Sequence, residues 1–484
     1  MAQALNNATN NIQALRSQAD QGIANDVQQA NIALTQIANI NQQLATAAPN
    51  DSSKALLENQ RDQYIDQLSK LMDIRVVQGA HDQISVFTTS GTQLVSTQAA
   101  QLQFNATGSF NAGLQWNADP SKSTLGTISL IGPAGGSVDL IANGSIRSGE
   151  IAAYLNMRDN TLVQAQTQVD AIATHLASSL SDTDTSASAT SMGLQNGFLA
   201  DTSGMQTGNT VHVTYTDSSN VKHNVSIVRV DDPSVLPLSN ASTVDPNDTV
   251  VGVDFSGGMA SVITQLNTAL GATGLQFSNP SGSILQVLDS GPGTITVNSV
   301  STTTTATSLT SGGASLPFFM DGSSAYSGAT TSIGAESVGF AGRISVNSAL
   351  IGDPTKLITY NLSPQTPVGD STRPNYIYNQ LMNVAQTYSP DTGVGGVSSS
   401  FQGTLSSFLS QIISKQSIAA NAASNLKDGQ DIVVNALQAR FNSASAVSID
   451  TEMAHLLQLQ NSYGANARVM STVKAMLDSL MQVL

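Results

Sequence analysis

The sequence predicts an α+β, multidomain protein, in which a discontinuous helical bundle or coiled-coil body carries two inserted mainly-β domains. The chain has 484 residues, which suggests about three domains. Apolar residues recur at alternating steps of four and three in several separated stretches, as they do in helices that pack against other helices. Between those stretches apolar and polar residues alternate, which is typical of half-buried strands.

These patterns divide the chain into four parts. We expect a helical core domain at 1–75, 145–190 and 370–445, a small β insertion at 76–144, a larger mainly-β domain at 191–369 and a C-terminal coiled-coil assembly helix at 446–484. The separated helical stretches should share one core, because short isolated helices are marginal in water. The residues that test this shared core are Leu34, Leu68, Leu176 and Ile412.

The first helical pattern runs through the opening residues. Its row of apolar positions, with one polar member, is Ile23, Val27, Ala30, Leu34, Ile37, Asn41 and Leu44. Pro49 breaks the pattern, and Ser52 or Ser53 can cap the helix that follows. The apolar row of that second helix is Leu57, Tyr64, Leu68 and Leu71.

Strand patterns follow, and then helix returns. From Arg75 to Asn143 the period is two, and glycine-rich joints separate the runs. Helix returns near Glu150, and its apolar row is Leu162, Val169, Ile172, Leu176 and Leu180. The Ser/Thr/Asp-rich residues 181–191 are predicted to form a loop.

The longest strand-rich stretch, 193–368, contains short apolar runs between turn clusters. One helix is predicted inside it, over SGGMASVITQLNTALG. Helix resumes near Pro374, and a long helix that continues to Phe441 is predicted to begin with Phe401, Leu405, Phe408 and Ile412.

Near the C-terminus an apolar row steps by four and three from Ile449 to Leu484, and only Gly464 interrupts it. A helix with such a row needs other helices to cover it. The row could fold back on its own domain or serve assembly between subunits. We predict an assembly interface, here called the C-terminal stripe, at Met453, Leu456, Leu457, Tyr463, Ala467, Met470, Leu477 and Leu480.

Charge and composition exclude several classes of function. The net charge of −15 disfavours nucleic acid and anionic membrane as partners. No apolar run reaches the roughly 20 residues that a membrane-spanning helix needs. The absence of cysteine excludes thiolate catalysis, disulfides and cysteine-bound metal. Only 11% of residues are charged, and such a surface of small polar groups suits closely packed subunits.

The sequence shows no active site, so we predict that the protein is not an enzyme and has no catalytic, cofactor-binding or metal-binding residues. The five histidines have no metal-binding spacing, and phosphate-binding loops and nucleophile elbows are absent. His212 and His223 could face each other across a hairpin, but zinc usually needs three or four ligands. The glycine-rich TGVGGV at 392–397 follows no predicted strand.

Three motifs resemble a known family. The first is D-x-E-M-A followed by L-x-L-Q-x-S-Y-x-A-N-A-R, which begins at Asp450, although Thr451 stands where the family usually has an acidic residue. The second is R-D-x-x-x-x-x-L-S at 61–69, in which we expect Arg61 and Asp62 to lie on a solvated face with a structural role. The third consists of Gly149, Ile151, Leu155, Arg158 and Asp159. Together they resemble the axial proteins of the bacterial flagellum, and in particular the hook-associated protein 1 family.

The resemblance implies a structural axial protein that joins hook to filament by subunit packing and terminal coiled-coil assembly. It also implies self-association in a ring at the junction, with flagellar hook protein and hook-associated protein 3 as neighbours. An export chaperone would bind the C-terminal segment. The location would be extracellular, on the flagellum, without a cleaved signal peptide, since MAQALNNATN has neither a basic start nor an apolar core.

Members of that family begin with a helical segment that contains an N-N-I-A-N type motif and an N-T-x-G-Y turn. This sequence has only an echo of it at 10–12, so we expect the chain to lack that segment. Another flagellar axial protein, such as hook-associated protein 3 or a flagellin-like protein, is one alternative, against which the helix motif at 61–69 and the two β insertions argue. A glycan-binding adhesin or fibre protein is the other. Glycan sites usually stack sugars on aromatic rings, and Trp116 is the single tryptophan.

Overall fold

The computed structural model describes residues 1–46, 53–80, 82–133, 135–293, 295–396, 398–445, 453–463, 468, 470–472 and 474. Ser52, one of the two predicted capping serines, lies outside these residues. The chain divides into two compact units, Met1–Ile412 and Ile413–Leu484. Helices and several small sheets together make this an α+β, multidomain fold.

The first unit is organised along one long helix, α1 (Ala2–Thr46). At 1.5 Å per residue, its 45 residues extend for about 67 Å. All seven members of the predicted row are buried, which confirms this prediction. The polar member, Asn41, donates to the carbonyls of Ile84 and Ser96 at 2.7 and 2.8 Å and accepts from the Ile84 amide. Because every group of its amide is satisfied, Asn41 can occupy an apolar row.

Helix α2 (Ser53–Leu71) packs against α1 and leads into two small antiparallel sheets. The strands of the first sheet are β1 (Ile74–Gln78), β2 (Ile84–Thr88) and β3 (Gln93–Val95). The strands of the second are β4 (Gln101–Phe104), β5 (Ile128–Ile131) and β6 (Ser137–Asp139). Strands were therefore correctly predicted between the first two helices and the next one.

The returning helix has three parts. Helix α3 (Glu150–Asn156) passes through a π-helical turn (Met157–Thr161) into α4 (Leu162–Ser181). The chain does not then form the predicted loop at 181–191, because β7 (Asp182–Ser186) and β8 (Ser188–Met192) begin there. The stretch is polar since both strands lie at the edges of their sheets, where most side chains meet water.

Two larger sheets form the central β region. Further strands are β9 (Gln195–Asp201), β10 (Thr210–Thr216), β11 (Lys222–Val230), β12 (Asp248–Asp254), β13 (Gln276–Ser278), β14 (Ile284–Leu288) and β15 (Thr296–Thr305). The strand orders are β12-β11-β10-β15-β7 and β13-β14-β9-β8, antiparallel except for β11 with β12. The one predicted helix is present as α5 (Gly258–Leu270), whose Val262, Leu266 and Leu270 are buried.

The remaining elements are short until the last long helix. The strands are β16 (Phe319–Asp321), β17 (Ser324–Ala325), β18 (Thr330–Thr331), β19 (Gly334–Ala335), β20 (Ile344–Val346), β21 (Gln386–Tyr388), β22 (Gly395–Gly396) and β23 (Ser399–Gly403). The helices are α6 (Phe340–Arg343), α7 (Ser348–Gly352), α8 (Thr372–Met382) and α9 (Leu405–Ser445). Phe401 lies in β23, so the long helix begins later than predicted.

The buried apolar residues of the described part form three clusters. The first joins α1 and α2 to the two small sheets and contains Leu34 and Leu68. The second fills the central β region. The third joins the start of α1, α4 and the first turns of α9, and contains Leu176, with Ile412 packed against it. The four test residues therefore divide between two clusters that α1 links within one compact unit, and the shared helical core stays a prediction.

Candidate assembly surfaces

Aromatic stacking holds the start of α9 on the first unit. Phe408 is fully buried, and its ring stacks on Tyr388 with centroids 3.7 Å apart. The imidazole of His175 also contacts the Tyr388 ring, and the two ring centroids lie 4.2 Å apart. Burial lowers the pKa of His175 to about 4 and raises the pKa of Tyr388 to about 12. Both rings are therefore uncharged at neutral pH, as an apolar contact requires.

Beyond Ile412 the described side chains of the same helix are mostly exposed. Every side chain from 416 to 440 is exposed, including Leu426, Val433 and Leu437. These three continue the heptad row of Leu405, Leu409 and Ile412 along the same side of the helix. A helix that leaves such a row in water gains little stability from its own backbone. The row therefore predicts a surface on which other helices can pack.

The C-terminal stripe is also exposed where the structure describes it. Met453, Leu456, Leu457 and Tyr463 belong to a helix at 453–463, and with Met470 they are between 53% and 80% exposed. Ala467, Leu477 and Leu480 lie outside the described residues. Leu459 is 69% exposed, and the sequence pattern missed it because it lies off the row. The assembly interface stays a prediction, since exposure in a single chain leaves its partner open.

The third family-like motif forms a buried charge network in the helical body. Arg158 is fully buried and donates from Nη1 to Asp20 at 2.7 Å. It also donates from Nε to Asp159 at 2.7 Å and from Nη2 to the Gly126 carbonyl. Burial by itself would lower the pKa of Arg158, but its bonds to the two carboxylates raise it. The guanidinium consequently stays charged inside the protein.

A second buried arginine extends this network to a loop. Arg16 donates from Nε to the Arg158 carbonyl at 3.1 Å and from Nη2 to the Leu114 carbonyl at 2.5 Å. The Thr107 amide donates to Asp20 at 2.6 Å. The network thus joins α1, the π-helical turn and the loop between β4 and β5. Its role is to position these elements against one another.

Gly149 of the same motif permits a close approach of two backbones. Its φ is +90°, and a Cβ atom there would lie 2.6 Å from the carbonyl carbon and oxygen of Leu71. Ile151 and Leu155, the apolar members of the motif, are buried in the first cluster. Each of these motif residues therefore has a packing role, which spacing alone could not reveal.

Arg61 of the second motif is not on a solvated face as predicted. Only 8% of it is exposed, and Nη1 donates to the Asp82 carbonyl at 2.6 Å. Lys54 pairs with the Asp82 carboxylate at 2.9 Å, so two cations of α2 hold this residue. Asp62 is exposed, as expected.

The described residues offer little to a metal or a small ligand. No group of three or more histidine and carboxylate side chains is placed to hold a metal ion among them. His212 and His223 do not face each other, because the register pairs His212 with Ser226 and His223 with Tyr215. His223 instead bonds Asp217 at 2.9 Å. A cleft of about 170 Å³ lies between 240–246 and 389–391.

Two parts of the chain, one near each end, match models of known protein families. Residues 1–193 match the model of the flagellar hook-associated protein FlgK helical domain. Residues 438–483 match the flagellar basal body rod FlgEFG protein C-terminal model. Over these two ranges the chain is FlgK-like and is similar to flagellar axial proteins. The resemblance drawn from the three motifs is thereby confirmed, and all three lie largely or wholly within the matched ranges.

One solved structure to which the chain is similar is the flagellar hook junction protein FlgK from Burkholderia pseudomallei. It is 20% identical, with a TM-score of 0.31, over 63% of this chain and 50% of its own. The match thus spans half the length of that relative, and so loose a superposition adds nothing on the fold. No curated protein matches the sequence. Among the described residues, none of the helices combines the length and apolar character needed to cross a membrane.

Proposed function

We propose that this FlgK-like chain is a structural subunit of the flagellar axis that joins hook to filament. The observation that carries the proposal is the uncovered row of apolar side chains on α9 and on the 453–463 helix. Fully burying one large apolar side chain contributes roughly 1.5–3 kcal/mol. A row of them therefore favours a partner strongly, and the similarity to flagellar axial families supports neighbouring subunits as that partner.

The mechanism is packing rather than chemistry. The exposed rows bind neighbouring helices in a coiled-coil layer, while the helical body and the two β regions make contacts between subunits. Copies of the chain associate in a ring. The flagellar hook protein lies on one side and hook-associated protein 3 on the other, and an export chaperone covers the C-terminal stripe before secretion without a cleaved signal peptide.

The test is motility after complementation of a strain that lacks this gene. Leu456→Asp places a charge in the C-terminal stripe and should abolish swimming, because an unpaired carboxylate in an apolar interface costs several kcal/mol. Gln458→Asp adds the same charge two residues away, off the row, and should preserve swimming. Secretion of both variants should be measured, so that a failure of export is separated from a failure of assembly.

Normal swimming with Leu456→Asp would contradict the proposed interface. If both variants are secreted and only Leu456→Asp fails, electron microscopy should show hooks without filaments. Filaments on those hooks would contradict the junction role even if swimming were impaired.

A further inference from the structure

In the five-stranded sheet of the central β region, strand β10 has one polar face. Side chains with odd numbers on β10, such as Val211 and Val213, point into the second cluster. Those with even numbers, Thr210, His212, Thr214 and Thr216, lie on the other face. Among them His212 is exposed, so this face is open to solvent where β10 crosses it.

Four side chains on this face form a continuous hydrogen-bonded chain across three strands. Thr210 Oγ1 lies 2.8 Å from His212 Nε2, and His212 Nδ1 lies 3.0 Å from Ser226 Oγ. Ser226 Oγ donates to Asp248 Oδ2 at 2.7 Å. Ser226 is fully buried and Asp248 is 9% exposed. The inner end of the chain is therefore fixed, and the outer end faces water.

The buried end determines which imidazole nitrogen carries the proton. A carboxylate only accepts, so the single hydroxyl proton of Ser226 goes to Asp248. Ser226 can then only accept from His212, which must donate from Nδ1. Nε2 is left with its lone pair, and Thr210 is the hydroxyl that donates to it.

Thr303 is a second possible acceptor for the Thr210 proton, because Thr303 donates its own proton to Asp184 and its oxygen can accept from Thr210. The distance from Thr210 Oγ1 to Thr303 Oγ1 is 3.4 Å, whereas the distance to the imidazole nitrogen is 2.8 Å. The shorter contact favours donation to His212, which is the arrangement that activates a hydroxyl nucleophile.

We propose that Thr210 is a covalent acceptor site for activated acyl esters, with His212 as its general base and Ser226 and Asp248 as positioning residues. Thr210 Oγ1 attacks the carbonyl carbon of the ester, and its proton passes to His212 Nε2. The bond from that carbon to the leaving oxygen breaks, and the imidazole returns the proton to the departing alcohol. The products are O-acyl-Thr210 and the free alcohol.

Acylation of the full chain by p-nitrophenyl acetate tests this directly. Peptide mass spectrometry over time should find acetyl on Thr210 before any other hydroxyl. His212→Gln should slow this labelling about 100-fold, the lower range for a lost general base. Thr214→Val is the matched control, because Thr214 lies on the same strand and face but donates to Asn224 rather than to a histidine, and labelling of Thr210 should be unchanged in it.

A second measurement begins with the unmodified chain and adds one variant. Nitrogen chemical shifts of the histidine rings in the ¹⁵N-labelled wild-type chain should show His212 protonated at Nδ1. In Asp248→Asn, whose amide can donate to Ser226, the proton should move to Nε2 and labelling should fall. Protonation at Nε2 in the wild type, or labelling of Thr210 no faster than of Thr214, would overturn the proposal.

Discussion

At the scale of single residues, the fate of a buried polar group depends on its partners. Asn41 occupies an apolar row of α1 because Ile84 and Ser96 satisfy its amide. Asp26 lies on the same helix and is also buried, but its Oδ2 meets no hydrogen-bond partner among the described residues. Burial, and then the charge of Glu150, raise the pKa of Asp26 to about 6. The fold therefore supplies hydrogen-bond partners to one buried polar side chain and not to the other.

Asp26→Asn should stabilise the protein at neutral and alkaline pH. The pKa of Asp26 is higher in the folded chain than its ordinary value of 3.8, so the folded chain binds this proton more tightly. Its contribution to stability is complete below the ordinary pKa and is lost as the pH rises through about 6. The gain in melting temperature for Asp26→Asn should therefore be larger at pH 8 than at pH 5. Asp66→Asn, at an exposed position of α2, is the control, and an equal gain at both pH values would contradict the assignment.

At the scale of elements, regular rows were readable from the sequence and contacts between distant segments were not. The row of α1 and the helix α5 follow from local periodicity, so they were predicted correctly. Strand β7 was missed because its pairing partner, β15, is more than a hundred residues away. The motif around Gly149 and Arg158 was recognised from its amino-acid sequence. Its packing against Leu71 and Asp20 depends on the tertiary fold.

Gly149→Ala should destabilise the junction of α2 and α3 strongly. A positive φ costs alanine about 1–2 kcal/mol, and displacement of the Leu71 backbone adds about 1–3 kcal/mol. We expect the free energy of unfolding, measured in urea, to fall by the sum of the two. Gly91→Ala is the matched control, because its φ is +92° but nothing lies within 4 Å of its Cβ position. It should lose only the first amount, and equal losses in the two variants would contradict the close approach.

At the scale of the whole molecule, α1 links two of the buried clusters, because it contributes residues to one cluster near its start and to another further along. The sequence showed which faces are apolar but not where along the helix each face finds its partner. The same limit applies to the second unit, Ile413–Leu484. Its apolar rows could be recognised in the sequence, but the helices that pack on them could not.

The central claim is that assembly into the flagellum covers the C-terminal stripe. The chain has no cysteine, so Leu456→Cys gives a single thiol at a position that is 53% exposed in the isolated chain. The measurement is the rate of maleimide labelling, first in purified subunits and then in intact isolated flagella, with acid-dissociated flagella as the control for a reactive thiol. We predict rapid labelling of free and dissociated subunits and strong protection in intact flagella, whereas equal labelling rates in all three samples would contradict the account.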